Sequence, residues 1–198
     1  MHETYHALPS APLEKGATFH KPTQWLPERV TYESPALDVM TDLKIMSTVT
    51  IEPLALINWA QQKMVQYGVK LLFVTDEKNA IVGLITTTDI LGEKPMQFIQ
   101  SHGGSHSEIL VRDIMTPREQ LEVLCMDDVL HATVGHVIAT LKSRGRQHAL
   151  VVDKSGSDGR QIVRGIFSTT QLNKQLKMVL QTTEIARTFA EIEAELAK

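Results

Sequence analysis

The chain has 198 residues, 42% of them hydrophobic and 22% charged, with a formal net charge of −3. That is enough apolar material for one compact domain or two small intimate ones, and the slight acidic excess excludes nucleic acid as a main ligand. No run is long enough to cross a bilayer and the start, MHETYHALPS, lacks both the basic leader and the apolar segment of a secretory signal, so a cytoplasmic location with no membrane contact is expected.

Residues 1–35 contain Pro9, Pro12, Pro22, Pro27 and Pro35 with no sustained period of 3.6 or 2, which reads as an extended arm. Trp25 and Tyr32 are expected to staple it to the body by burial. From Ala36 the pattern becomes regular. The run ALDVMTD at 36–42 returns as VRDIMTP at 111–117, matching Asp38 with Asp113, Met40 with Met115 and Thr41 with Thr116, an internal repeat. After each copy comes a β-prone run, 45–51 in the first and 121–124 in the second, and then a helix. The first helix is expected to start near Pro53, to bury Leu56, Ile57, Ala60, Met64 and Val65, and to stop at Gly68. The second is expected to be capped by Asp127 or Asp128, to bury Leu130, Val134, Val137, Ile138 and Leu141, and to stop at Gly145. Cys125, the lone cysteine, lies in the apolar run 121–126 and reads as a small core residue. Each helix runs into a hairpin, LLFVTD to AIVGLIT and ALVVD to QIVRGIFS, the second with the longer turn. Closing helices follow from Thr87 and Thr169.

The expected fold is therefore α/β (α+β), with two β-α-β-β-α repeats over 36–100 and 111–177 and a flexible link at 101–110. Apolar sheet faces and helix stripes in both copies mean that neither can bury its core alone. A C-terminal helix is expected over 178–198, with Ile185, Phe189, Ile192 and Leu196 on one stripe that needs a partner surface, its own body or a second chain.

The candidate site is the stretch GLITTTDI at 83–90 and its echo GIFSTTQL at 165–172. A strand running into a helix start offers free backbone N–H groups and the positive end of the helix dipole to an anion such as phosphate. Thr86 adds a hydroxyl there, and Asp89, one turn on, can accept from a ribose diol. The plainer reading is that both residues only cap the helix.

Two D-[VI]-M-T starts, two helices ending in glycine, two apolar hairpins with Val-x-Asp at the turn and the G-h-h-[ST]-x-x-D close resemble, over roughly 36–177, the tandem cystathionine-β-synthase (CBS) domain pair, or Bateman module, here as a stand-alone protein. The resemblance implies repeats in pseudo-twofold contact through their sheets and a flat homodimer formed through helices. It also implies regulatory binding, with no required cofactor, of an adenosine-containing ligand (AMP, ADP or ATP) in the cleft between repeats. Carried onto this chain, Thr86 and Ser168 would meet phosphate and Asp89 ribose. Gln171 stands where a second Asp is expected, so that cleft would be weaker or empty. Lys70 and Leu71, with Gln147 and His148, would flank adenine, and Lys70, Arg144, Arg146 and His148 would neutralise phosphate.

Other chemistry is poorly served. His102 and His106 have Gly103 and Gly104 between them, and His131 and His136 splay across a helix, so metal binding is not expected. No GxxxxGK[ST], GxSxG or HExxH occurs, and no base stands near Thr86 to Thr88, so no enzymatic activity is expected. The alternative is a ligand-free structural or oligomerisation module acting on an unidentified protein partner through its arm and C-terminal segment.

Overall fold

The apolar hairpins of both halves become sheets, and the computed structural model, which describes residues 11–12, 14–18, 23–153, 160–178 and 180, shows which strands join them. In the first half, β1 (Thr41–Asp42) and β2 (Thr50–Ile51) precede α1 (Ile57–Tyr67), the hairpin β3 (Leu71–Thr75) and β4 (Ile81–Thr86), then α2 (Thr87–Leu91) and α3 (Lys94–His102). The second half runs α4 (Val111–Ile114), β5 (Thr116–Pro117), β6 (Val123–Cys125), α5 (Met126–Leu130), α6 (Val134–Ser143), β7 (His148–Asp153), β8 (Ile162–Ser168) and α7 (Thr169–Leu176).

The two halves exchange their first strands. The sheet orders are β1-β8-β7-β6 and β2-β3-β4-β5, so each D-x-M-T segment adds an antiparallel strand to the other half's sheet. A glycine makes room in each case. A Cβ on Gly83 would lie 2.6 Å from Met115 Sδ, and one on Gly165 would lie 2.5 Å from Met40 Sδ. Arg164 on β8 pairs with Asp42 on β1 and closes the edge. Two helix-and-sheet cores follow from this exchange. Val39 and Met40 pack with Val134, Val137, Phe167 and Leu172, while Val111 and Ile114 pack with Ile57, Ala60, Leu72 and Ile85. A third cluster of Leu71, Phe73, Leu84 and Leu150 joins the sheets of the two halves. Apart from the smaller Ala60, each of these side chains contributes about 1.5–3 kcal/mol by leaving water.

Helix boundaries differ from the expectation where backbone groups found other partners. Helix α1 starts at Ile57 with Leu56 as its N-cap residue, and Val65 is 78% exposed rather than buried. The second long helix is two. Ala36 N–H donates to Ala132 O (2.9 Å) and Pro35 bridges Thr133, so the chain breaks there and Thr133 starts α6 with His136 in a capping box. Asp127 and Asp128 lie inside the first turn of α5 instead of capping it, and Leu130 is exposed. Only Thr50–Ile51 of the 45–51 run is strand. The link at 101–110 holds a short 3-10 turn, His106–Glu108, with its own capping box.

Trp25 does not staple the arm; it is 93% exposed. Hydrogen bonds hold the arm instead. Gln24 Nε2 donates to Met40 O (2.9 Å) while its Oε1 accepts from Asp42 N–H (2.8 Å). Tyr32 O and Ser34 O accept from Gly135 N–H (2.9 Å) and Val134 N–H (2.8 Å), serving first-turn donors of α6 that have no partner within the helix. The C-terminal helix expected over 178–198 lies outside the described residues, Met178 and Leu180 excepted. Among the described residues no helix is long and apolar enough to cross a membrane.

Gly68 (φ 64°) and Gly145 (φ 59°) set α1 and α6 in one register, with Ile57, Ala60 and Met64 buried in one and Val134, Val137 and Leu141 in the other. The outer faces differ. Trp59 (67% exposed), Val65 and Tyr67 (56%) on α1 stand where α6 and its C-cap carry His136, Lys142 and Arg144. The shared fold evidently does not require apolar groups there.

Candidate functional site

Thr86 ends β4 and caps α2. Asp89 N–H donates to Thr86 Oγ1 (3.2 Å), and Asp89 Oδ2 accepts from Thr86 N–H (2.8 Å) and Thr86 Oγ1–H (2.7 Å). Asp89 Oδ1 pairs with Lys94 Nζ at 2.6 Å, and the same ammonium donates to Ile114 O (3.1 Å). The carboxylate is thus held on both oxygens, and Lys94 is a site residue that the sequence reading missed: it lies beyond the repeated stretch, on a helix that reading did not contain.

The second turn has the same backbone and different side-chain bonding. Ser168 Oγ accepts from Gln171 N–H (3.2 Å), but the Gln171 side chain turns away and its Nε2 donates to Gln175 Oε1 (2.8 Å). Backbone equivalence is close at the predicted flanking residues: Lys70 O accepts from Thr87 N–H (3.0 Å), and Gln147 O accepts from Thr169 N–H (2.9 Å). Leu71 pairs with Thr86 in one sheet and His148 with Ser168 in the other.

The two turns meet. Thr88 Oγ1 donates to Gln147 Oε1 (3.2 Å) across the halves. Burial pushes the His148 imidazolium down to about 4, with the Asp89 carboxylate opposing and Lys70 adding to the effect, so His148 feels the charges of the first half's turn. Lys70, Leu71, Thr86 and Asp89 are therefore gathered with Gln147 and His148. Arg146 is bonded elsewhere: it donates to Gln120 O (3.3 Å) and lies 3.6 Å from Glu122, which Arg144 also pairs at 3.0 Å. Such exposed pairs contribute about 0–1 kcal/mol each and leave both guanidinium groups available to an anion. Arg144, Arg146, His148 and Glu122 line a small cavity of about 100 Å³. A larger open groove of about 1300 Å³ lies over the first half, lined by Trp59, Lys63, Tyr67, Glu52 and Asp76 among others and by none of the predicted contact residues. Among the described residues no group of three or more His, Cys, Asp or Glu side chains is placed to hold a metal ion.

His148 gives a measurable consequence. A histidine whose folded-state value lies below its ordinary 6.5 binds fewer protons folded than unfolded between about 6.5 and 4. Its contribution is full above that window and is lost as pH falls through it, with a slope of at most about 1.4 kcal/mol per pH unit. Urea midpoints measured between pH 7 and pH 4 should fall, and His148→Gln should flatten part of that fall; an unchanged slope would show that His148 is not the group responsible.

Comparison with known proteins agrees with this doubled α/β architecture. Residues 37–95 match the family model of the CBS domain. An uncharacterised conserved protein of Pyrococcus horikoshii is similar in structure at 21% identity, over 72% of this chain and 92% of that one, with a TM-score of 0.51. Also similar are a CBS-domain containing protein of Agrobacterium tumefaciens (19% identity, 65% of this chain, 87% of that one, TM-score 0.47) and the CBS-pair protein CBSX2 of Arabidopsis thaliana (21%, 83%, 99%, 0.44). No curated protein matches the chain. Fold and site together define a paired-repeat module whose halves share strands. The stretch matched to the CBS domain is the first repeat of this module, and the second half duplicates its order of strands and helices.

Proposed function

We propose that this chain is a regulatory module, not an enzyme, that binds an adenosine-containing ligand (AMP, ADP or ATP) between its CBS repeats and signals through a change of shape or partner affinity. The observation that supports it most is the meeting of the two strand-to-helix turns at the Thr88–Gln147 hydrogen bond, with Asp89, Lys70 and His148 within electrostatic reach of one another. Thr86, Asp89, Lys70 and Leu71 form the first set of contacts, and Ser168, Gln171, Gln147, His148 and Arg146 the second. A ligand that prefers one arrangement of the two halves shifts the population toward it. Calorimetry with AMP, ADP and ATP tests the reading, and heat-silent titrations with all three would end it.

A second reading is favoured by one specific observation: both oxygens of Asp89 are already engaged, by Thr86 and by Lys94. In that reading the turns only cap helices and the protein works through protein contacts. A thermal-shift series with adenosine ligands separates the two, since a ligand that binds only the folded chain raises its melting temperature.

The exposed face of α1 is the proposed contact of a homodimer, because the register-matched face of α6 shows that the fold does without Trp59, Val65 and Tyr67. Trp59→Glu should weaken self-association at least tenfold in sedimentation velocity; a variant that sediments like the parent chain would remove α1 from the interface.

A further inference from the structure

Gln175 lies on α7, four residues after Gln171, and is only 2% exposed. One end of its amide is 2.7 Å from Pro27 O and 2.8 Å from Asp38 O. Carbonyl oxygens accept and never donate, so the atom serving both is the NH2, and both of its hydrogens are in use. The other end is then the carbonyl oxygen, and the group 2.8 Å from it must donate, which makes that group Gln171 Nε2. The amide of Gln171 is oriented by the same step: its nitrogen faces Gln175, and its Oε1 is left as an acceptor to which no described residue donates. This polarity follows from the bonding pattern alone and does not depend on telling oxygen from nitrogen by shape.

We infer that Gln175 is a positioning residue that presents Gln171 Oε1 as the acceptor for a ligand hydroxyl at the second turn, with the N-terminal arm, through Pro27, completing the arrangement. The inference rests on the proposed function and adds the polarity and availability of one of its contacts. The two turns then differ in an unexpected direction. Asp89 is the stronger acceptor but is held by Thr86 and Lys94, whereas Gln171 is the weaker acceptor with an oxygen to which no described residue donates. A vicinal diol can engage the second turn without breaking an ion pair, so the Gln171 turn takes a ribose-like ligand first. The proline-rich arm becomes part of the same device, since its carbonyl at Pro27 fixes which way the Gln175 amide faces.

The test uses the full chain with Asp89→Ala, so that one turn remains, and AMP as the probe in calorimetry. Gln171→Leu should weaken binding about five- to tenfold, the worth of one neutral hydrogen bond. Gln175→Leu should weaken it by a similar factor, because the Gln171 amide is then free to turn. Adding Gln171→Glu to Gln175→Leu should restore affinity, because a carboxylate accepts at either oxygen and needs no orienting partner. A merely structural Gln175 would not be rescued in that way. A ligand-free measurement guards against misfolded variants: in the unaltered chain the Gln171 side-chain amide should exchange hydrogen slowly by NMR. Exchange at the rate of a free amide overturns the inference, as does AMP affinity unchanged by Gln171→Leu. Slow exchange with none of AMP, ADP and ATP bound by the unaltered chain overturns the proposed function, and the ligand contact proposed here with it.

Discussion

Gly83→Ala should lower the stability of the whole chain by about 1–3 kcal/mol, the range for forcing atoms into a filled core. The new Cβ would sit 2.6 Å from Met115 Sδ and 2.9 Å from Thr116 O, both on the segment that the second half contributes to the first half's sheet. The methionine sulfur can swing aside, but the Thr116 carbonyl is backbone in a strand pair and cannot move without opening β5 from β4. Gly165→Ala is the internal comparison. The three atoms nearest its Cβ would all belong to the Met40 side chain, at 2.5, 2.8 and 3.0 Å, so shortening Met40 should relieve the tightest contacts. Urea denaturation of four variants decides the matter: Gly83→Ala alone and with Met115→Ala, Gly165→Ala alone and with Met40→Ala, each pair corrected for its methionine change. Full relief at Gly83 by Met115→Ala would mean that the Thr116 carbonyl is not the obstacle.

Asp89→Ala should have two separable effects. Removing the carboxylate takes away the reciprocal cap on Thr86 and leaves Lys94 without its partner, which should cost about 1–2 kcal/mol of stability. If a ribose meets this turn, losing a charged acceptor worth about 1.5–3 kcal/mol should also weaken that site roughly ten- to a hundredfold. Lys94→Met separates the two effects because it leaves the Thr86 cap in place and frees Asp89 Oδ1. Calorimetry should then show AMP bound more tightly than by the parent chain, together with a small loss of stability from the missing bond to Ile114 O. Weaker binding in Lys94→Met would mean that Lys94 itself contacts the ligand rather than competing with it.

Much of the architecture was legible because it depends on local chemistry that recurs. Gly68 and Gly145 end their helices in the left-handed conformation that glycine tolerates, and Thr86 and Ser168 cap theirs with hydroxyls, so element order and the repeat could be read from residue types alone. Residues that fail this test were misread. Trp25 was expected to anchor the arm because large aromatics gain most from burial, whereas Gln24 and Gln175 do the anchoring through paired hydrogen bonds that no periodicity announces. Val65 and Leu130 look like core residues and lie in water, because helical phase and the chain break at 131–133 are set by what packs against those segments.

The sequence by itself determined the doubling, the helix and strand types, and the turn residues Thr86, Asp89, Ser168 and Gln171. Each of these follows from short-range preferences written twice in the chain. Only the tertiary structure decided that the D-x-M-T strands cross to the opposite sheet, that Lys94 takes one oxygen of Asp89, and that Gln175 sets the direction of the Gln171 amide. Those outcomes depend on which donors and acceptors meet across long separations in sequence, where burial forces every polar group to find a partner.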